Sequence, residues 1–107
     1  MLSNLKSQMR KGLLEYCILS IINRDEAYAS DILDTLKEAR LVVVVEGTVY
    51  PLLTRMKNEG LLSYRWQEST GGPPRKYYTL TEEGKQLLTQ LNEEWQSICQ
   101  AINQITQ

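Results

Sequence analysis

Apolar and polar positions alternate along this chain with several distinct rhythms, and each rhythm predicts an element. Between Gly12 and Asn23, the residues Leu13, Leu14, Tyr16, Cys17, Ile18, Leu19, Ile21 and Ile22 place apolar side chains nearly all round. That pattern predicts a helix buried on most sides. Met1–Met9 ahead of it is mostly polar and reads as a frayed lead-in, followed by the basic pair Arg10 and Lys11. Asn23–Glu26 is a short polar turn. A second helix is expected over Ala27–Ala39, with Ile32, Leu33 and Leu36 on one face and Asp31, Asp34, Lys37 and Glu38 on the other. Ser30 is its expected cap, with Asp31 favourable in the first turn. Four consecutive valines, Val42–Val45, prefer extended backbone, so Arg40–Val45 reads as a short strand or connector.

The stretch Glu46–Leu62 carries the most chemistry. Val49, Leu52, Leu53 and Met56 recur at three- and four-residue steps, which predicts a helix with one buried stripe. Its other face holds Tyr50, Thr54, Arg55 and Asn58, with Lys57 at the flank. A hydroxyl-rich, mildly basic surface with few acids suits phosphates and base edges. It also suits an ordinary solvated helix face. Gly60 has the character of a C′ glycine that ends the helix. If Thr48 is the N-cap, Pro51 stands at the third helical position and is tolerated; if the helix starts at Glu46, a kink near Gly47 is expected.

Leu62–Gln67 alternates, with Leu62, Tyr64 and Trp66 on one side, and Arg75–Leu80 alternates as well. Between them the glycines and prolines of Glu68–Pro74 predict a loop, so the whole is a hairpin. Three helices followed by a hairpin give a mainly α fold with the order of a winged helix-turn-helix, its wing flanked by Arg75 and Lys76. Thr81 then caps a long helix, with Thr79 as a rival. Leu88, Leu91, Trp95, Ile98, Ile102 and Ile105 follow at steps of 3, 4, 3, 4 and 3, a heptad seam. At about 1.5 Å per residue the helix is roughly 40 Å long, more than a small domain covers. The expected division is residues 1–80 as a DNA-binding unit and 81–107 as a dimerisation helix; a helix folded back on its own core is the alternative.

Composition changes this picture locally. The 107 residues carry a net charge of −1, yet Gly47–Leu80 is basic and the segment from Thr81 onward is acidic. That asymmetry suits an anion-binding middle beside an outward acidic helix. There is no histidine, and Cys17 and Cys99 lie far apart in apolar helical patterns, which argues against a zinc site, a disulfide framework and an enzyme. No catalytic residue, metal or cofactor is expected. No apolar run reaches membrane-spanning length and no signal peptide is evident, so a cytoplasmic location is expected.

Gly47-Thr48-Val49-Tyr50-Pro51-Leu52-Leu53 and Pro74-Arg75-Lys76-Tyr77-Tyr78-Thr79-Leu80-Thr81, with Tyr28–Ile32 and Gly12–Leu19, resemble the PadR family of bacterial transcriptional regulators. The similarity runs from Arg10 to Gln107 and is to the short members. It implies a homodimeric repressor joined through the C-terminal helix, often with help from the N-terminal helix. The implied partner is double-stranded DNA with a palindromic operator. The helix holding Thr48, Tyr50 and Arg55 would enter the major groove, with Arg75 and Lys76 on the backbone or minor groove; Thr54 and Lys57, from the same helix face, complete the expected DNA-binding set. Some short members bind planar hydrophobic compounds beside a tryptophan, and Trp95 matches that place, flanked by Leu91 and Ile98. One departure is Val45, where members carry a serine, threonine or asparagine cap. Read from the residues alone, the Trp95 pair either leaves an apolar gap or fills it, and Thr48 and Tyr50 could be internal hydrogen-bonding groups. The competing function is a dimeric protein-interaction module on the same scaffold without DNA binding.

Overall fold

The computed structural model describes residues 1–40, 46–69 and 71–107, and the expected valine connector lies largely outside them. In chain order the elements are α1 (Leu2–Arg24), β1 (Ala27–Tyr28), α2 (Ala29–Glu38), α3 (Glu46–Asn58), β2 (Leu62–Ser69), β3 (Gly72–Leu80) and α4 (Glu82–Thr106). The strands form one antiparallel sheet in the order β1-β3-β2. This is a winged helix-turn-helix extended by a long C-terminal helix.

The core joins all of these elements. Ile18 and Leu19 from α1, Ile32 and Leu36 from α2, and Val49, Leu53 and Met56 from α3 are fully buried. Leu62 and Tyr78 close it from the sheet and Leu88 from α4. Each fully buried aliphatic side chain contributes about 1.5–3 kcal/mol. Burial also pushes the Cys17 thiol above its usual range, so it is a packing residue and a poor nucleophile.

Several expectations are corrected. Met1–Met9 is not a frayed lead-in, because α1 runs unbroken from Leu2. Leu2, Leu5 and Met9, at steps of three and four, form an exposed apolar stripe along it. The second helix does not begin at Ala27: that residue and Tyr28 pair with Tyr78 and Tyr77 as an edge strand. Two residues are too few to show alternation, and only the pairing partner makes them a strand. The Ser30 cap is likewise replaced, since the helix starts at Ala29 and the Asp31 carboxylate accepts the Tyr28 N–H at 3.1 Å. Thr48 lies inside α3, which begins at Glu46, so Pro51 is interior to the helix.

The wing is longer than its composition suggests. β3 already includes Gly72, Pro73 and Pro74, leaving a short turn around Gly71, whose φ is +81°. The prolines fit because the ladder is irregular between Gln67 and Ser69, where missing N–H groups cost little.

The end of α3 is locked. Gly60, at φ +81°, donates its N–H to Lys57 O, and Leu61 donates to Met56 O, each at 3.0 Å, a Schellman end. Thr81 then grips that end. Its N–H donates to Leu61 O at 3.1 Å, its hydroxyl donates to Gly60 O at 2.6 Å, and the same oxygen accepts the Gly84 N–H at 3.0 Å. Gly84 is required by proximity, because a Cβ there would stand 2.2 Å from Leu61 O. We expect Thr81→Ala to cost about 1–2 kcal/mol and Gly84→Ala about 1–3 kcal/mol through overpacking. Urea denaturation of both variants checks this, and an unchanged midpoint in Gly84→Ala would refute the close approach.

Candidate nucleic-acid interface

Helical spacing sorts the α3 side chains into two groups. Tyr50 and Thr54, one turn apart, open onto a groove whose other wall is the wing. Thr54 donates its hydroxyl to Tyr50 O at 3.2 Å, which fixes its rotamer while leaving it exposed. Thr48 and Arg55 point elsewhere, toward α1, where they share a smaller hollow with Leu14 and Glu15.

This groove, about 530 Å³, is lined by Tyr50 and Thr54 from α3, by Tyr28 of β1 and Ala29 and Ser30 at the start of α2, and by Trp66, Arg75, Lys76 and Tyr78 from the hairpin. None of these lining residues is acidic. Its cations are held against rings. The Lys76 ammonium lies 4.6 Å from the centroid of Tyr64 and 5.6 Å from that of Trp66, and the Arg75 guanidinium lies 5.3 Å from Tyr28. Lys57 reaches from α3 to within 5.7 Å of the Tyr64 ring. At exposed sites such contacts contribute about 0.5–1 kcal/mol each, and they leave the charges facing outward. Burial raises the Tyr78 phenol above its usual pKa, with Tyr64 and Tyr50 adding to the shift, so it stays a protonated donor.

The other basic residues of the middle segment are paired. Arg65, on the opposite face of the hairpin, donates to Glu26 at 3.1 Å, is also bonded to Gln67 and stacks 4.9 Å from Tyr77. Arg55 is bridged to Glu15 of α1 and to Glu59, the latter at 3.0 Å. Of the residues singled out in the sequence, then, the structure gathers Tyr50, Thr54, Arg75 and Lys76 in one groove, with Lys57 at its side. It sets Thr48 and Arg55 apart. Sequence reasoning missed Trp66 as part of this surface, although the alternation Leu62, Tyr64, Trp66 put it on the α3 side. It also missed Tyr28 and Ser30, which reach the groove through the short β1 strand.

The long α4 divides in two. Leu88 is buried and Leu91 half-buried against the chain's own core. Tyr16 on α1 donates its hydroxyl to Asn92 at 2.5 Å, and its ring lies 6.3 Å from Trp95. Beyond that point Trp95, Ile98, Ile102 and Ile105 are 39%, 43%, 50% and 82% exposed.

A three-helix head with a charged wing and a long C-terminal helix defines a winged-helix protein. The family comparison makes this specific: residues 18–90 match the transcriptional regulator PadR-like family, and the chain belongs to it. A PadR-like transcription factor from Bacteroides fragilis is 59% identical, with 95% of this chain and 98% of that one covered and a TM-score of 0.79. A PadR-like regulator from Bacillus cereus is 38% identical, covering 94% and 97%, at a TM-score of 0.85. PadR of Bacillus subtilis, solved in complex with operator DNA, is 30% identical, covering 74% of this chain and 46% of that one, at a TM-score of 0.68. This chain therefore spans under half the length of the B. subtilis protein, a negative transcriptional regulator.

The Arg55–Glu15 pair generates a prediction. Both side chains are half-exposed, so solvent screens them. A double-mutant cycle on Glu15→Ala and Arg55→Ala should return a favourable coupling of at most about 1 kcal/mol. A coupling of about 3 kcal/mol or more, the size expected of a buried pair, would contradict these exposures.

Proposed function

We propose that this chain is a sequence-specific DNA-binding repressor that works as a homodimer. The observation that carries this reading is the acid-free groove between Tyr50 and Thr54 on one side and Arg75 and Lys76 on the other. In this reading α3 enters the major groove, where Tyr50 and Thr54 meet base edges and Thr48 stands at the flank. Lys57, Arg75 and Lys76 neutralise phosphates. Arg55 serves through α3: two carboxylates hold its charge, so it fixes the helix against α1. The operator complex and the negative-regulator role of the B. subtilis relative support repression through DNA. A DNA partner implies action in the cytoplasm.

Residues 1–80 would bind DNA and 81–107 dimerise. Trp95, Ile98, Ile102 and Ile105 form an apolar stripe longer than a lone chain covers, and Leu2, Leu5 and Met9 add a second. Leu88 and Leu91 anchor α4 to its own head, so the outer seam is the part left for a second copy. A two-fold dimer requires an operator with matching two-fold symmetry. A planar apolar effector belongs to this reading only beside the paired Trp95 rings, where Leu91 and Ile98 flank the space.

Two measurements test these points. Binding of duplex DNA should fall steeply with salt; Lys76→Ala should lower the log–log slope by about one, and Arg55→Ala should leave it unchanged while weakening affinity. If no duplex binds at low salt, the interaction-module reading replaces this one. Ile102→Asp should leave the head folded but shift the protein to monomer in analytical ultracentrifugation, since it charges the seam without touching the core. A variant that stays dimeric would remove α4 from the interface.

A further inference from the structure

The apolar face of β2 runs out of the core and into the open. Leu62 is buried, Tyr64 is half-buried, and Trp66, next on that face, is 61% exposed. Hydrophobic stabilisation scales with the apolar area removed from water, so an indole this open contributes little of it to the free chain. Its position is well defined all the same. Trp66 pairs in register with Lys76 across the hairpin and meets Tyr64 edge-on at 5.9 Å. It lines the groove together with Tyr50 and Thr54. The wing thus presents a flat apolar plate directly beside a cation, with the Lys76 ammonium 5.6 Å from the indole centroid.

Building on the DNA-binding reading, we propose that Trp66 is itself a DNA contact, packing its indole against a deoxyribose of the strand whose phosphate Lys76 neutralises. A nucleic-acid strand alternates anionic phosphates with apolar sugar faces, one phosphate per roughly 3.4 Å of helix axis. Neighbouring Lys76 and Trp66 present the complementary pair, a cation next to an apolar surface. Sugar contacts fix orientation without reading sequence, so the same contact forms on any duplex. It removes apolar area from water and displaces no counterion. That property separates it from a tryptophan that merely props Lys76: loss of the prop would cost a phosphate contact, and loss of the plate would not.

Full-length protein carrying 5-fluorotryptophan gives separate fluorine NMR signals for Trp66 and Trp95, assigned with Trp66→Phe. With a mixed-sequence duplex at low salt, the Trp66 signal should shift. Trp66→Ala should weaken binding roughly five- to tenfold at every salt concentration with the log–log slope unchanged, and Trp66→Phe should recover most of the loss. A Trp66 signal that stays still on a bound duplex overturns the proposal. So does a slope reduced by about one in Trp66→Ala, which would mark Trp66 as a support for Lys76. Wild-type protein that binds no duplex removes the DNA-binding reading and this inference together, whereas binding with a silent Trp66 removes the inference alone.

Discussion

Thr81 holds together the two halves of this molecule. Its hydroxyl is both donor and acceptor, joining the Gly60 carbonyl just past α3 to the Gly84 amide in the first turn of α4. The Schellman end at Gly60 makes that carbonyl available at a defined angle, and Gly84 lets the two backbones come together without a side chain between them. Few groups can satisfy both helix ends at once, because each end leaves unpaired backbone groups that need a partner. The consequence is mechanical. The direction in which α4 leaves the head is set by this junction together with the packing of Leu88 and Leu91 on the core and the Tyr16–Asn92 bond to α1.

The wing applies the same economy to charge. Its cations are held over rings, Lys76 against Tyr64 and Trp66 and Arg75 against Tyr28. Long basic side chains lose up to about 2 kcal/mol of rotamer freedom when fixed. Part of that ordering is already done here, so less remains to be lost when a phosphate arrives. Tyr64 is shared by Lys57 from α3 and Lys76 from β3, which ties the charge of the helix to that of the wing.

Much of this was legible in the sequence, and the reasons are local. The apolar steps Val49, Leu53 and Met56 fixed the buried side of α3, and Gly60 and Thr81 declared their capping roles by residue type alone. The hairpin followed from alternation. What escaped depends on partners distant in sequence. Ala27 and Tyr28 are a strand only because Tyr77 and Tyr78 lie beside them. Arg55 read as a groove cation until Glu15, forty positions earlier, was found against it. Pro73 and Pro74 looked like loop residues, and the irregular ladder opposite them was invisible in composition. The heptad seam was seen whole, yet its first residues serve the chain's own core and only its outer part is open.

A net charge of −1 is a poor guide to the partner of such a protein. What a phosphate meets is the local arrangement, and at an ionic strength near physiological the screening length is about 8 Å. Within that distance of the groove stand Arg75 and Lys76, whose side chains line it, while Arg65 is spent on Glu26 and Arg55 on Glu15 and Glu59. The carboxylates that lower the overall charge stand outside that lining, and Asp31 among them caps α2. Some neutralise arginines that hold the scaffold together, and others, such as Glu93 and Glu94, ride on α4 outside the groove lining. Pairing off Arg55 and Arg65 leaves Arg75 and Lys76 as the cations that line the groove. That leaves an acid-free groove with two cations in its lining on a weakly acidic chain, a local field that orients a polyanion more directly than basic residues spread over the surface.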